Sequence, residues 1–554
     1  MQQNTLMQSW LRFLTIVLLV MAILFRFSNI NSKVYSHDET YTSLRISGYT
    51  VEEVKQQLFN GRVITPESFA QFQNINQPKE LSDTIMSLAK EDPQHTPLYF
   101  VLARFWLGIF GNSVTAIRSL SACISLLVFP SIYWLCRELF DVPTLIPGLA
   151  IALTAVSPVY LIYATEAQEY ILWLVTIIVC SASLIRAMGL ESKYEDELAK
   201  RQQTSDSFTT WSIYTVTLVL SLYTSLWSVF VAIAHGVYVI ISERLRLTKT
   251  VRAYLLASIV AFFAFIPWLI IILAKFFQFL LSNNGTSTQF FILPLLPFSL
   301  RQVSRIFIDL DLGLNNALGY FIWTFFVILV GCAIYLLCRT TNYKIWLFIL
   351  SLIVVPALPL VLPALTTGGI KLGSEPYFLP SYLGIQIAVA YLLATQIYSG
   401  RLPRRRIWQT IMVLLIIGGL ISSRVYYQAE TWWNKGVSYH NHQVAQIINR
   451  SARPLLISDA EGINYGNVFS LSYLVEPRVQ FKLLKNQNTS NISDSYTQVF
   501  LLNLTDTWRQ KIATQNQSKI NLVYRDEYYS LWKLLKPRNS RQSSILQRNQ
   551  FSGS

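Results

Sequence analysis

"YSHDETYTSLR" (35–45) and "YATEAQEYILW" (163–173) each set a pair of acids beside long apolar sequence. Asp38 and Glu39 follow the apolar run 11–30, and Glu166 and Glu169 stand at the junction of the runs 144–163 and 168–187. A carboxylate at membrane depth is costly, so acids kept there are functional candidates by default. The plain alternative is that they mark a wetted helix end. Whether the apolar runs cross a bilayer therefore decides the fold and how the acids are read.

Composition answers the first half. The 554 residues are 52% hydrophobic and only 14% charged, where a soluble domain carries about 25% charged residues. Mean hydropathy is +0.38. A crossing needs about 20 apolar residues. Segments that meet or approach this are 11–30, 115–136, 144–163, 168–187, 208–222, 226–241, 252–275, 313–337, 345–363, 376–395 and 408–422, with a brief run at 96–110. The chain reads as a polytopic α-helical membrane protein of about 11–13 helices. No small-residue cleavage site follows the first run, which reads as a membrane helix and not as a removed signal. Cys123, Cys136, Cys180, Cys332 and Cys338 lie in or beside apolar runs and have neither metal spacing nor a disulfide framework. The formal net charge of +15 falls largely in short loops, which points to contact with membrane lipid headgroups. No nucleic-acid module is present, so no nucleic-acid partner is expected. There is no Walker or dinucleotide motif, and Gly368–Gly369 reads as a turn, which disfavours an ATP-driven pump.

The basic loops give an orientation. "RRRIW" (404–408), the loop 188–207 and "SERLRLTKTVR" (242–252) belong on the cytoplasmic side. Residues 32–95, Glu166, 276–312, 364–375 and the chain after 423 then face outside, provided that 96–110 does not fully cross or that another of the runs divides differently. This divides the chain into a membrane domain (1–423, with a first outer loop 32–95), a small extracytoplasmic α/β domain (424–536) and a disordered polar tail (537–554). Strands are expected at 453–460, 479–484, 497–504 and 519–525, and a helix at 440–450. In the outer loop, Val51, Val54 and Leu58, and again Leu81, Ile85 and Leu88, recur at helical spacing and predict short helices along the membrane surface.

Several polar residues on the expected outer side could carry chemistry. Asp38 could act as a base toward a hydroxyl, or Asp38 and Glu166 could hold a divalent cation such as Mg or Mn through oxygens. His37 could assist as a ligand or proton carrier. Glu166 and Glu169, three apart, share a face if helical. His95 in "EDPQHTPLYF" (91–100) could complete a polar site, and a helix cap or sharp turn before Pro97 explains it as well. Arg301 and Arg305 are one helical turn apart and could clamp a phosphate or pyrophosphate, or simply snorkel at the interface. Lys371 is a further cation on the same side, and Tyr377 is either a contact or an interface anchor.

The motifs, taken in order, resemble the bacterial GT-C superfamily of membrane glycosyltransferases, in particular the family 39-like enzymes related to protein O-mannosyltransferases and the lipid A aminoarabinose transferase. The first-loop acidic signature is Asp38-Glu39-Thr40-Tyr41. The His-Pro-Pro-Leu-type element is His95-Thr96-Pro97-Leu98-Tyr99, followed by Phe110-Gly111 and Ala116-Ile117-Arg118. The acidic-aromatic element is Glu166-Ala167-Gln168-Glu169-Tyr170 after Ser157-Pro158. These cover roughly the first 190 residues. The resemblance implies a GT-C-like transmembrane bundle in a bacterial cytoplasmic membrane, with the active site and C-terminal domain outside. It also implies an inverting glycosyltransferase that takes a sugar from a polyprenyl-phosphate donor and delivers it to a glycolipid, polysaccharide or protein. Asp38 would be the base or metal-binding acid, Glu39 its partner and Glu166 the second acid. The chain departs from the pattern at Thr96, at Ser225 where the family often has His, and at Glu375-Pro376 where it often has Arg before Tyr. Two other readings remain: a transporter or flippase for a lipid-linked saccharide, and an inactive assembly component.

Overall fold

The computed structural model describes residues 2–140, 145–193, 200–281, 292–314, 316–371, 373–399, 402–485, 492–493 and 495–535. The expected disordered tail 537–554 lies outside the described residues. Among these, eight helices are long and apolar enough to cross a membrane, or nine if the bent pair Leu145–Val156 and Pro158–Ala164 is one broken span. Two shorter apolar helices, Leu98–Phe110 and Ser228–Ser242, accompany them. The chain is a multi-pass membrane protein.

The chain forms two compact units. The first comprises Met1–Lys33 and Gln77–Asn434, the second Val34–Asn76 and Lys435–Ser554.

The first unit is the helical one. Its apolar surfaces are of two kinds. Leu256, Phe263 and Phe321 are exposed, as lipid-facing residues are, whereas nearly all of Tyr170–Ile185 is buried by other helices. The bent pair breaks by 62° at Ser157, where Pro158 begins a new helix. A close neighbour faces this break. A Cβ at Gly419, on the helix Leu402–Gln428, would lie 2.5 Å from the Val156 carbonyl oxygen, so only glycine lets the two backbones approach there. Arg118, fully buried, donates to the carbonyls of Ile30 (2.9 Å) and Lys33 (3.1 Å) and so satisfies the chain where the first helix has ended. Two short strands, β2 (Ile292–Pro294) and β3 (Gly369–Lys371), pair antiparallel in this unit.

The second unit is an α/β fold around one sheet. Its strands are β1 (Asn60–Ile64), β4 (Pro454–Asp459), β5 (Gln480–Leu484), β6 (Gln498–Leu502), β7 (Lys519–Arg525) and β8 (Ser530–Leu535). The order is β1-β5-β4-β6-β8-β7. The centre β5-β4-β6 is parallel, and β1, β8 and β7 add antiparallel. β4 is buried along its whole length, as an apolar strand covered on both faces must be. Four of these strands lie where the sequence places strands. β8 and β1 are additions, and β1 comes from a segment nearly four hundred residues earlier. The helix Val51–Leu58, expected along a membrane surface, buries Val54 and Leu58 in this unit's core with Phe69, Phe72, Leu456 and Phe481.

One polar contact fixes that early segment in the unit. Glu39 is fully buried and receives the Lys435 Nζ at 2.9 Å. A buried carboxylate that loses its cation becomes an uncompensated charge, at about 3–5 kcal/mol. Lys435→Met should therefore lower the melting temperature sharply, and adding Glu39→Gln, which keeps a capping side chain, should recover most of the loss. Thermal melts of the three purified proteins check this; equal melting of K435M and wild type would contradict it.

Candidate functional site

In the second unit, the helix His37–Ile46 opens with a capping box. Ser36 Oγ accepts from the Glu39 amide at 3.4 Å, and Glu39 accepts from the Ser36 amide at 3.1 Å. The Glu39 carboxylate also takes the Ser36 hydroxyl at 3.2 Å and the Lys435 ammonium. Asp38, one residue earlier, points the other way: its side chain is 68% exposed, and its Oδ1 meets His37 Nδ1 at 3.1 Å. Successive helix positions are about 100° apart, which separates two neighbouring acids into one buried and one presented.

In the first unit, Glu166 and Glu169 lie in the turn 165–169 between the helices Pro158–Ala164 and Tyr170–Lys193. The shared helical face expected of them does not form, because the helix begins only at Tyr170. Each acid is instead buried against its own partner. Asn434 Nδ2 donates to Glu166, and His95 Nδ1 meets Glu169 Oε1 at 2.7 Å. Thr165 and Tyr426 share a hydroxyl contact of 2.8 Å beside them. His95 is thus positioned against an acid by the segment before the helix Leu98–Phe110, which Trp268 also grips by donating to the Pro93 carbonyl at 2.9 Å.

Arg301 and Arg305 lie on the helix Leu295–Arg305 and line one small cavity with Ser304, Asp309 and Trp323. Arg305 is 1% exposed. None of its three guanidinium nitrogens has a hydrogen-bond acceptor among the described residues. Its nearest carboxylate oxygen, on Asp309, is 3.7 Å away. That carboxylate is already engaged: Oδ2 accepts from the indoles of Trp432 (3.1 Å) and Trp433 (2.5 Å), and Oδ1 from the Asp311 amide (3.2 Å). The Trp433 ring also covers the guanidinium at 3.5 Å. Arg301 Nε is likewise buried without an acceptor. Burial brings the Arg301 guanidinium down to about 10, Arg305 pushes it the same way, and Glu375 and the aspartates oppose. Two desolvated cations side by side, with donors unspent, suit an anion.

Tyr377 stacks on Trp227 (4.6 Å between centroids) and meets Trp173 edge-on at 6.4 Å. Lys371 pairs through its backbone with Ile292, and its side chain lies outside the described residues. Among the described residues no group of three or more His, Cys, Asp or Glu is placed to hold a metal ion. Asp38 and Glu166, expected as cation ligands, are not part of such a set.

The residues that sequence reasoning passed over are Asp309, Trp432, Trp433 and Asn434. "TWWNKG" (431–436) directly after the last apolar run carried a usable signal: two adjacent indole donors, an amide and a lysine where lipid ends.

No family model matches the chain, and no curated protein matches it in sequence. Solved structures do. The apo oligosaccharyltransferase of Archaeoglobus fulgidus aligns over 92% of this chain and 69% of its own, at 11% identity and a TM-score of 0.50. ArnT from Cupriavidus metallidurans in the apo state aligns over 94% and 97%, at 11% identity and a TM-score of 0.49. At such identity the likeness concerns the fold alone, and this chain's polytopic helical membrane fold with a small α/β unit is the architecture that the GT-C resemblance implies.

Proposed function

We propose that the chain transfers a sugar from a polyprenyl-phosphate-linked donor to an acceptor hydroxyl at the outer face of a bacterial cytoplasmic membrane, with inversion at the anomeric carbon. The observation that carries this reading is Arg305. A fully buried guanidinium with no acceptor for any nitrogen among the described residues is expensive to leave so. A phosphate oxygen is the acceptor that a planar fork fits best. Arg301 on the preceding turn supplies a second cation. The fold shared with an enzyme named as an oligosaccharyltransferase and the order of the acidic motifs support the same conclusion.

In this reading the bond from the anomeric carbon to the phosphate oxygen breaks as the acceptor oxygen attacks from the opposite side. The acceptor proton passes to the Asp38 carboxylate, and the electron pair leaves with the polyprenyl phosphate. Arg301 and Arg305 offset the negative charge that grows on that phosphate, and preorganised donors of this kind contribute strongly where water is excluded. Asp38 is the proposed base because it is the presented member of its pair. Glu39 acts indirectly, by capping and anchoring the helix that carries Asp38. Glu166 and Glu169, oriented by Asn434 and His95, form the second acidic element, with Tyr377 as a donor contact. Among the described residues no three such ligands stand together, and no step is assigned to a cation. The acceptor is a glycolipid, a polysaccharide or a protein.

The test is turnover in lipid of a panel of radiolabelled polyprenyl-phosphate sugars, with native membranes supplying acceptors. Arg305→Ala should weaken donor binding and lower kcat by about 100- to 1000-fold. Arg305→Lys, which keeps charge but loses the fork, should fall between. Release of polyprenyl phosphate by R305A at the wild-type rate would remove the observation on which the reading stands.

Asp38→Asn keeps shape and removes the base. It should leave donor binding intact and reduce kcat by at least about 100-fold. Donor binding without turnover in the wild-type protein would instead favour transport of a lipid-linked saccharide.

A further inference from the structure

We infer that His37 is a positioning residue for Asp38, and that the helix Asn464–Ser472 is built to hold the His37 ring in place. The inference rests on the proposal that Asp38 is the base.

The His37 ring lies directly on the backbone of that helix. A Cβ built at Gly466 would stand 2.2 Å from His37 Cδ2 and 2.7 Å from Cγ and Nε2, distances that no side chain tolerates. Gly466 has no positive-φ requirement, so its missing Cβ serves the ring alone. The neighbours fix the same residue from other directions. The His37 amide donates to Ser438 Oγ at 2.8 Å, that hydroxyl donates toward Asn467 Oδ1 at 3.4 Å, and the Tyr41 ring lies 4.9 Å from the imidazole. Three separate stretches of the second unit thus converge on His37, two on its ring and one on its amide, and its side chain is only 19% exposed.

The outward consequence is a fixed Nδ1, 3.1 Å from Asp38 Oδ1. An ionised carboxylate only accepts hydrogen bonds, so the Nδ1 proton is the donor and this nitrogen carries it. An aspartate 68% exposed at a helix start has several rotamers open to it. A donor anchored in the fold selects one of them. It engages Oδ1 and so sets the direction in which the carboxylate is presented. His37 holds Asp38 in direction and takes no proton from it.

Three substitutions separate this from a merely structural or a proton-carrying role, read in the donor turnover assay with melting temperatures alongside. His37→Asn places an amide N–H near the Nδ1 position and should retain at least about a third of wild-type kcat. His37→Leu fills space without a donor and should lose about 10- to 100-fold in kcat, with KM for the donor unchanged, because misplacing a reacting group costs rate and not donor affinity. Gly466→Ala keeps both His37 and Asp38 and should reproduce the kcat loss by displacing the ring. It decides the matter should H37L fail to fold. Wild-type kcat in H37L or in G466A would overturn the inference, and so would an H37N as impaired as H37L, which would point to proton transfer. If D38N itself retains full activity, the reading of Asp38 as base has failed. If D38N is inactive while H37L is not, the reading of Asp38 stands and only the role of His37 falls.

Discussion

The buried carboxylate of Glu39 is the constraint on which the second unit depends. It joins residues 396 apart in the chain through Lys435 and caps the helix His37–Ile46 through Ser36. Closing so long a separation is entropically unfavourable, though only weakly more so than a shorter one. What makes it specific is charge. A carboxylate inside an apolar core is tolerated only with a cation and with its remaining lone pairs occupied, and Ser36 and Lys435 meet both conditions. Around that fixed point Val54, Leu58, Phe69 and Phe72 join the core with Leu456, Phe469 and Phe481, and β1 extends the sheet next to β5. The early segment is therefore a component of the α/β fold.

Arg305 is the opposite case, and the contrast is informative. It also has a carboxylate nearby, but Asp309 has spent its oxygens on two indoles and an amide. The cation keeps electrostatic company and a Trp433 face while its N–H groups find no acceptor among the described residues. A fold under selection for stability alone would pair those donors, as it pairs the acceptors of Glu39. Leaving them unspent makes sense where a ligand supplies the acceptors. Asp309 and Trp433 then hold the guanidinium without competing for its fork.

Much of this architecture is legible in the sequence, for identifiable reasons. Membrane helices announce themselves by length and hydropathy, and β4 to β7 by short apolar β-branched runs. β1 does not, because "NGRVI" (60–64) is polar and half exposed and becomes a strand only by pairing with β5. The turn at 165–169 escaped helical spacing because Glu166 and Glu169 take separate partners, which no local pattern encodes. Arg301 and Arg305 were visible as a pair, but that Arg305 finds no hydrogen-bond acceptor among the described residues was not. It depends on Asp309 being engaged by Trp432 and Trp433, residues more than a hundred positions away.

Acids beside apolar segments thus serve two purposes at once. In "HDE" (37–39) the helical rotation sends Glu39 inward and Asp38 outward, so one carboxylate secures the helix start that aims the other. The division needs both residues in sequence: without Glu39 the helix would lose its cap and its buried ion, and without Asp38 there would be nothing presented. In "TEAQE" (165–169) no helix imposes a division, and both acids are buried, Glu166 accepting from Asn434 and Glu169 meeting His95. Glu39 thus secures the helix start from which Asp38 is presented, and Glu166 and Glu169 are ordered within their turn.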